Sequence, residues 1–341
     1  MSTPNAPPLE RSLPAGAEPA GLRPVELLPV YRDSGRFAPA LSQNVRGGLL
    51  LLGPKLADVW HFVFAPNPST SRFGAWLRRI RRVPTVQTIA SPPRSFDAIE
   101  SLLFGDVVVA QSTWTRRQIE ARLGSRAPRL SVIPPPVPSL KAPTPAEQLA
   151  VRRTLGVSED ALLFVFPGDL EVSRGAERVA DLVDPLVREL PNAVVVFAYR
   201  EKTPRAAEIA ELYQSRLSRT HTRFVSQIDS ILGLVAMSTA VLFPVDDLWG
   251  KVDLPIVLLE AMVLGVPVVA VDRGPLADLP EAVLVPDGDA GALLKAAISL
   301  GRDADFSRTV AERQRRAVRE RHAAHVVAAA YEELYLELAA R

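Results

Sequence analysis

The sequence predicts an α/β protein built on two parallel sheets. Short β-branched runs alternate with helix-length segments twice over, turn residues separate the elements, and a proline cluster at 134–136 divides the two series. With 341 residues, 48% of them hydrophobic, the chain can bury two cores of ordinary size. In the first series, 58–64 (D-V-W-H-F-V-F) reads as a buried strand, 69–82 as a helix begun by a Ser/Thr cap, and 84–89 as a strand. Residues 96–104 read as helix, 106–110 as strand, 113–123 as a helix stopped by Gly124, and 130–133 as a strand. The prolines that follow can continue neither element.

The second series opens with a helix at 146–155 and runs strand 162–166, helix 176–190, strand 193–199, helix 205–217, strand 223–225, helix 230–237 and strand 240–244. Repeated strand–helix–strand units imply parallel strands joined by right-handed crossovers, with chemistry past the carboxyl ends of the strands. We divide the chain into a Pro-rich disordered tail (1–24), a short first domain (25–137, with a strand at 25–31), a linker (138–146), a second domain (147–302) and bracing C-terminal helices (303–341).

The most informative stretch is 250–272, G-K-V-D-L-P-I-V-L-L-E-A-M-V-L-G-V-P-V-V-A-V-D, because it sets one carboxylate, Glu260, in an otherwise apolar helix. Asp253 reads as the N-cap, Pro255 as a first-turn residue and Gly265 as the residue that ends the helix. Residues 256–264 should therefore be a buried helix and 266–271 a buried strand. A carboxylate held inside needs a partner, either a cationic side chain or a ligand rich in hydroxyls.

Composition removes several functions. The chain has no cysteine, so disulfides, thiolate catalysis and Cys-based metal sites are absent. Lys plus Arg exceed Asp plus Glu only by 40 to 38, which gives no general affinity for nucleic acid. The longest apolar runs, 231–245 and 256–271, fall short of the ~20 residues that span a bilayer. Together with the lack of an apolar leader, this places the protein in the cytoplasm as an expectation. Residues 76–82 (W-L-R-R-I-R-R) are basic and amphipathic, which suits either a solvated helix end or peripheral contact with anionic lipid at the inner membrane face.

The L-L-E-A-M-V-L-G-V-P-V-V run resembles the donor-binding segment of the retaining GT-B glycosyltransferases, family four (group 1), whose pattern is E-G-x-x-x-x-x-x-E-A-M-A-x-G-x-P-V-V. The order D-V-W-H, V-P-T-V-Q-T-I, D-V-V-V-A-Q-S and V-I-P-P-P-V also resembles that family's first half. The resemblance covers about 58–338. It implies a GT-B fold of two Rossmann-like domains facing a cleft, and a sugar moved with retention from a UDP- or GDP-linked donor to a hydroxyl acceptor. The donor is a co-substrate; no cofactor and no metal are implied.

By the same resemblance Glu260 holds the ribose diol, and a carboxylate can accept from two neighbouring hydroxyls. The turn P-G-D-L-E-V-S-R-G after 162–166 stands where the family binds the donor diphosphate. Gly168 and Ser173 lie in it, and Arg174 takes the place of the family's Lys beside a helix N-terminus. Arg200 and Lys202, at the end of the next strand, add cations that would meet a departing diphosphate. Lys251 and Asp253 precede the Glu260 helix on the sugar side, ahead of Asp246 and Asp247. His61 and Asn67 stand on the acceptor side, although a lone His on an apolar strand also reads as a core residue. Asp287-Gly288-Asp289 reads as a turn and not as a metal motif. The chain departs from the family at Val252 (first Glu), Asp169 (Arg) and Val63 (second His). Two other readings follow from these departures: a non-catalytic nucleotide- or partner-binding relative, and a nucleotide-sugar epimerase.

Overall fold

The computed structural model describes residues 48–49, 51–53, 57–201, 203–226, 230–248 and 252–340. The chain divides into two compact units, Met1–Ala57 and Asp58–Arg341. In the first, the described residues form a helical fragment in which the Gly53 amide donates to the Leu49 carbonyl at 3.1 Å. The expected tail at 1–24 and strand at 25–31 lie outside the described residues.

The unit Asp58–Arg341 carries two all-parallel sheets. The first contains β1 (Trp60–Phe64), β2 (Thr85–Ile89), β3 (Val107–Ala110) and β4 (Arg129–Val132) in that spatial order. The register sets Trp60 against Thr85, Val86 against Val107 and Val107 against Arg129. Central strands β2 and β3 are buried at every position, as both faces of a parallel sheet require. Helices α1 (Pro68–Arg81) and α2 (Thr113–Leu123) form two of the crossovers.

After α3 (Pro145–Leu155) comes the second sheet, made of β5 (Leu162–Pro167), β6 (Ala193–Ala198), β7 (Thr222–Val225), β8 (Ala240–Phe243), β9 (Val268–Val271) and β10 (Val283–Val285). Its spatial order is β10-β9-β8-β5-β6-β7. The chain thus runs outward from β5 to β7, returns to the far side of β5 as β8, and runs outward again to β10. The connecting helices are α4 (Gly175–Glu189), α5 (Arg205–Arg216), α6 (Ile231–Ala236), α7 (Ile256–Val263) and α8 (Ala290–Arg302). Phe164, Phe166, Phe197 and Phe243 are fully buried in this core, and each such side chain contributes roughly 1.5–3 kcal/mol of transfer free energy.

The chain ends in α9 (Ala304–His322) and α10 (Ala324–Ala339). Gln314 of α9 bonds both the amide and the carbonyl of Val268, at 2.9 and 3.2 Å, which fixes this helix to the second sheet. Helix α10 crosses to the first sheet, where Val327, Leu334 and Leu338 pack with Val86, Val107, Val109 and Ile133. At the bend between them, buried His322 bonds the Pro135 carbonyl through Nδ1 at 2.9 Å and its own carbonyl accepts from Val137 at 2.8 Å. The proline segment between the sheets is pinned there.

The observed elements follow the predicted alternation with three differences. Helix α1 starts at Pro68 with Asn67 as its cap, because a proline at the first helical position makes the preceding residue the cap. Residues 96–104 form only a 3-10 turn, Ile99–Leu102, packed under the first sheet. Strand β10 is short and carries no periodic signal of its own, so the sequence did not announce it. No helix among the described residues is long and apolar enough to cross a membrane.

Candidate functional site

In a sheet of this order, a ligand crevice lies past the carboxyl ends of the strands where the order reverses. That point is between β5 and β8. The two strand ends approach closely there. A Cβ on Gly168, just after β5, would come within 2.5 Å of the Phe166 ring, and one on Gly175 within 2.7 Å of Val245 Cγ2 on the β8 side. The Arg174 amide bridges the gap, donating to Asp246 Oδ1 at 3.0 Å. Ser173 Oγ accepts from the Gly175 amide at 3.2 Å, so it serves the first turn of α4.

Both described cations predicted for a diphosphate, Arg174 and Arg200, meet carboxylates. Arg174 is exposed and donates through Nε to Glu177 at 3.1 Å. Arg200 stands 3.5 Å from Asp169, whose own side chain is buried. Arg200, expected to offset Asp169, is ion-paired with it. The sequence reading missed Arg178, one turn into α4. It donates to Asp287 Oδ1 at 2.7 Å, to the Pro244 carbonyl at 3.0 Å and to Asp246 Oδ2 at 3.3 Å. Arg273 reaches the same Asp287 at 2.5 Å. Hydrogen bonds from Arg273 and Arg178 hold the Asp287 carboxyl below its usual range. Four arginines (174, 178, 200, 273) are thereby matched with four carboxylates (169, 177, 246, 287). Lys202 and Lys251 lie outside the described residues. The D-G-D segment is a turn, as read: Asp287 serves the arginines and Asp289 caps α8 through the Ala292 amide at 2.8 Å.

Helix α7 positions Glu260. Gly265, at φ 80°, closes the helix with paired bonds, its amide to Met262 at 3.1 Å and the Val266 amide to Ala261 at 2.9 Å. Leu258, Leu259, Ala261 and Met262 are buried. Glu260 lies on the other face with Ile256, Val257 and Val263, half-buried, and burial raises its pKa. Among the described residues no side chain hydrogen-bonds or ion-pairs with this carboxylate.

Asp253 does not cap α7. Pro255 occupies the cap position, and Asp253 is completely buried and turned toward the first sheet, where Ser112 Oγ donates to its Oδ2 at 2.7 Å. Its placement on the sugar side is corrected accordingly. Burial pushes its carboxyl up to about 6, with a further contribution from the charge of Asp278.

The two residues expected on the acceptor side make the following contacts. His61 is a core histidine: Nδ1 bonds the Tyr335 hydroxyl at 2.6 Å and Nε2 the Thr88 hydroxyl at 2.7 Å, and Thr88 continues to Tyr331 at 3.0 Å. Burial depresses its pKa to about 4, so the ring is neutral near pH 7. Asn67 spends its oxygen on the Thr70 amide at 3.0 Å and its amide on the Ala65 carbonyl at 3.4 Å. Among the described residues no three His, Asp or Glu side chains converge into a set that could hold a metal ion.

Comparison with known proteins agrees with this architecture. Residues 161–303 match the family of glycosyl transferases group 1. The N-acetyl-alpha-D-glucosaminyl L-malate synthase of Bacillus anthracis is 25% identical over 195 residues, covering 55% of this chain and 49% of the relative. The D-inositol 3-phosphate glycosyltransferase of Geodermatophilus obscurus is 31% identical over 224 residues, covering 60% of this chain and 44% of the relative. The matches thus span about half the length of these curated relatives. Among solved structures, Anabaena HepE in complex with UDP superposes with a TM-score of 0.70 at 18% identity, covering 87% of this chain and 82% of that one. Sucrose-phosphate synthase from Thermosynechococcus elongatus gives 0.68 at 20% identity, covering 88% and 78%. A parallel sheet reversing between β5 and β8 and these matches lead to one conclusion: the chain has the GT-B fold, and its residues 161–303 match the glycosyl transferases group 1 family.

Proposed function

We propose that the protein transfers a hexosyl group, with retention, from a nucleotide-diphosphate sugar to a hydroxyl acceptor, without a metal or cofactor. The reading is carried by Glu260, a half-buried carboxylate with a raised pKa and no protein partner among the described residues, on the helix that follows β8, one of the two strands at the point where the sheet order reverses. A ribose diol supplies what such a group lacks, two adjacent donors that offset the cost of its desolvation. Arg174 and Arg200 follow the carboxyl ends of β5 and β6, and a diphosphate arriving there would compete with Glu177 and Asp169 for them. As the bond from the anomeric carbon to the diphosphate breaks, charge grows on the departing phosphate, and these guanidinium groups stabilise it. The halves at 25–137 and 147–302 then take acceptor and donor respectively.

Calorimetric titration with UDP and GDP, wild type beside Glu260→Ala, tests the reading. UDP comes first, because the Anabaena neighbour was solved with it. We expect one nucleotide to bind and the substitution to weaken it at least tenfold, about 1.4 kcal/mol. Failure of both nucleotides to bind removes the donor site.

One observation favours a second reading, a relative that binds nucleotide without transferring sugar: Asp169, buried and 3.5 Å from Arg200, stands where the family pattern carries an Arg. Nucleotide binding without turnover across hydroxyl acceptors selects it. Product formed from donor and water alone, or an epimerised donor, selects epimerase or hydrolase chemistry instead.

The same proposal places the protein at an anionic membrane face. Phe73, Trp76 and Ile80 on α1 are exposed at 39%, 46% and 53%. Arg72, Arg79 and Arg82 are exposed beside them, and no acidic residue occurs from 59 to 96. Apolar insertion with a surrounding positive field suits anionic lipid. Flotation with phosphatidylglycerol-containing vesicles should carry the wild type and not Trp76→Ala/Ile80→Ala; equal flotation with neutral phosphatidylcholine vesicles would refute the charge argument.

A further inference from the structure

The amino end of α2 is held by two carboxylates from the other sheet. Ser112, its cap, accepts from the Thr115 amide at 3.0 Å and donates through its hydroxyl to Asp253 Oδ2 at 2.7 Å. The next free amide, Trp114, donates to Asp278 Oδ2 at 3.0 Å. These are the orphan N–H groups that every helix start presents, and an anion is the natural partner for them. Asp278 belongs to the turn Gly274–Asp278 after β9, and Asp253 to the segment that begins α7. Asp253 is the more telling of the two, being completely buried.

Its site is also unfinished. Asp253 Oδ1 and Thr115 Oγ1 are both buried without a hydrogen-bond partner, and the Thr115 hydroxyl stands near the carboxylate. Two unpaired polar atoms at one buried contact are costly, and native structures keep few. The Thr115 hydroxyl can turn its own proton toward the ionised Oδ1 and satisfy both atoms at once, and a proton taken up on Oδ1 would reverse that bond. The groups facing it are Ser112 and Thr115 on the α2 side and Asp278 on the β9 side; no cation pairs with it among the described residues.

We propose that Asp253 is a positioning residue: held by Ser112, it fastens the start of α7 to the amino end of α2 and so sets where Glu260 stands when a nucleotide's ribose arrives. The proposal rests on the reading of Glu260 given above. Asp253 lies two residues before the helix cap, and α7 is a short rigid lever closed at its far end by Gly265, so a shift at Asp253 moves Glu260 with it. Burial pushes the Asp253 carboxyl up to about 6 while the Ser112 and Thr115 hydroxyls favour its ionised form, so the charge on this contact is lost as pH falls through that value.

The experiment compares full-length wild type, Asp253→Ala, Asp253→Asn and Ser112→Ala by hydrogen–deuterium exchange and by calorimetry between pH 5 and 7, using whichever of UDP and GDP the wild type binds. Asp253→Ala and Ser112→Ala should each speed exchange on both sides of the contact, at 113–116 and at 256–263, and weaken nucleotide on the order of tenfold. Asp253→Asn, which can accept from Ser112 and donate to Thr115 at any pH, should restore affinity to within about twofold of wild type. Its pH profile should part from that of the wild type around pH 6. Unchanged affinity in both disrupting variants, or a wild-type profile that Asp253→Asn reproduces, overturns the positioning role. If the wild type binds neither nucleotide, the Glu260 reading fails and takes the ribose role with it. Exchange at 256–263 that Asp253→Ala and Ser112→Ala leave untouched would then overturn the fastening as well.

Discussion

Two polar seams hold the first sheet to the rest of the unit, and they are built differently. At the α10 seam, His61 spends both ring nitrogens on hydroxyls of Tyr335 and Thr88, and Thr88 passes the chain to Tyr331. At the α7 seam, Asp253 spends one oxygen on Ser112 and leaves the other, with Thr115 Oγ1, unpaired in the interior. A network with every member satisfied fixes one arrangement, whereas a half-satisfied one gains from any change that completes it. The first seam is therefore a fixture. The second has a reason to respond to a proton, and it lies next to the residue that the proposed function depends on.

Breaking the fixture should give the largest effect. His61→Ala leaves a hole beside the Tyr331 and Tyr335 rings, whose centroids lie 5.0 and 5.7 Å from the imidazole, strands the Tyr335 hydroxyl and removes one of the two partners of the Thr88 hydroxyl. Cavity and lost hydrogen bonds together should cost about 3 kcal/mol, read as a lowered urea midpoint. Exchange at 113–116 and 256–263 should remain as in wild type. Faster exchange there would mean the two seams are one cooperative structure and would remove the distinction drawn above.

The sequence showed the sheets more clearly than the seams, for a physical reason. Strands such as Val107–Ala110 and Val268–Val271 are local β-branched runs buried at every position, and a period of that kind can be read from neighbours alone. Glu260 was legible for the same reason, as a carboxylate in an apolar octet ended by Gly265. Ser112 and Asp253 lie 141 positions apart, and His61 and Tyr335 lie 274 apart, so nothing local distinguishes them from an ordinary cap and a core histidine. Asp253 was misread because a polar residue just before Pro255 looks like a cap, and local capping cannot be told from a partner on another sheet. Arg178 offered one faint signal. It repeats Arg174 four positions later, on the face of α4 toward the acid-bearing loops that hold Asp246 and Asp287.

The smaller and sharper test of the comparison is the pH dependence of stability, because the two seams carry opposite proton linkage. Burial lowers His61 from 6.5 to about 4, so the unfolded chain takes up a proton that the native seam refuses. Its stabilisation is present above 6.5 and is lost as pH falls toward 4. Burial raises Asp253 from 3.8 to about 6, so the native seam keeps a proton that the unfolded chain releases. That stabilisation is present below 3.8 and is lost as pH rises toward 6. Between about pH 4 and 6 the two slopes oppose, each at most ~1.4 kcal/mol per pH unit, and the contribution of this pair to wild-type stability should be nearly flat. Asp253→Asn removes the falling slope, so its stability relative to wild type should climb by on the order of 2 kcal/mol from pH 4 to 6. His61→Gln removes the rising slope and should fall relative to wild type over the same range. Urea unfolding of the three proteins at pH 4, 5 and 6 separates these outcomes. Parallel curves would mean that neither buried group is linked to folding, and the contrast between a closed seam and an open one would then rest on geometry without energetic consequence.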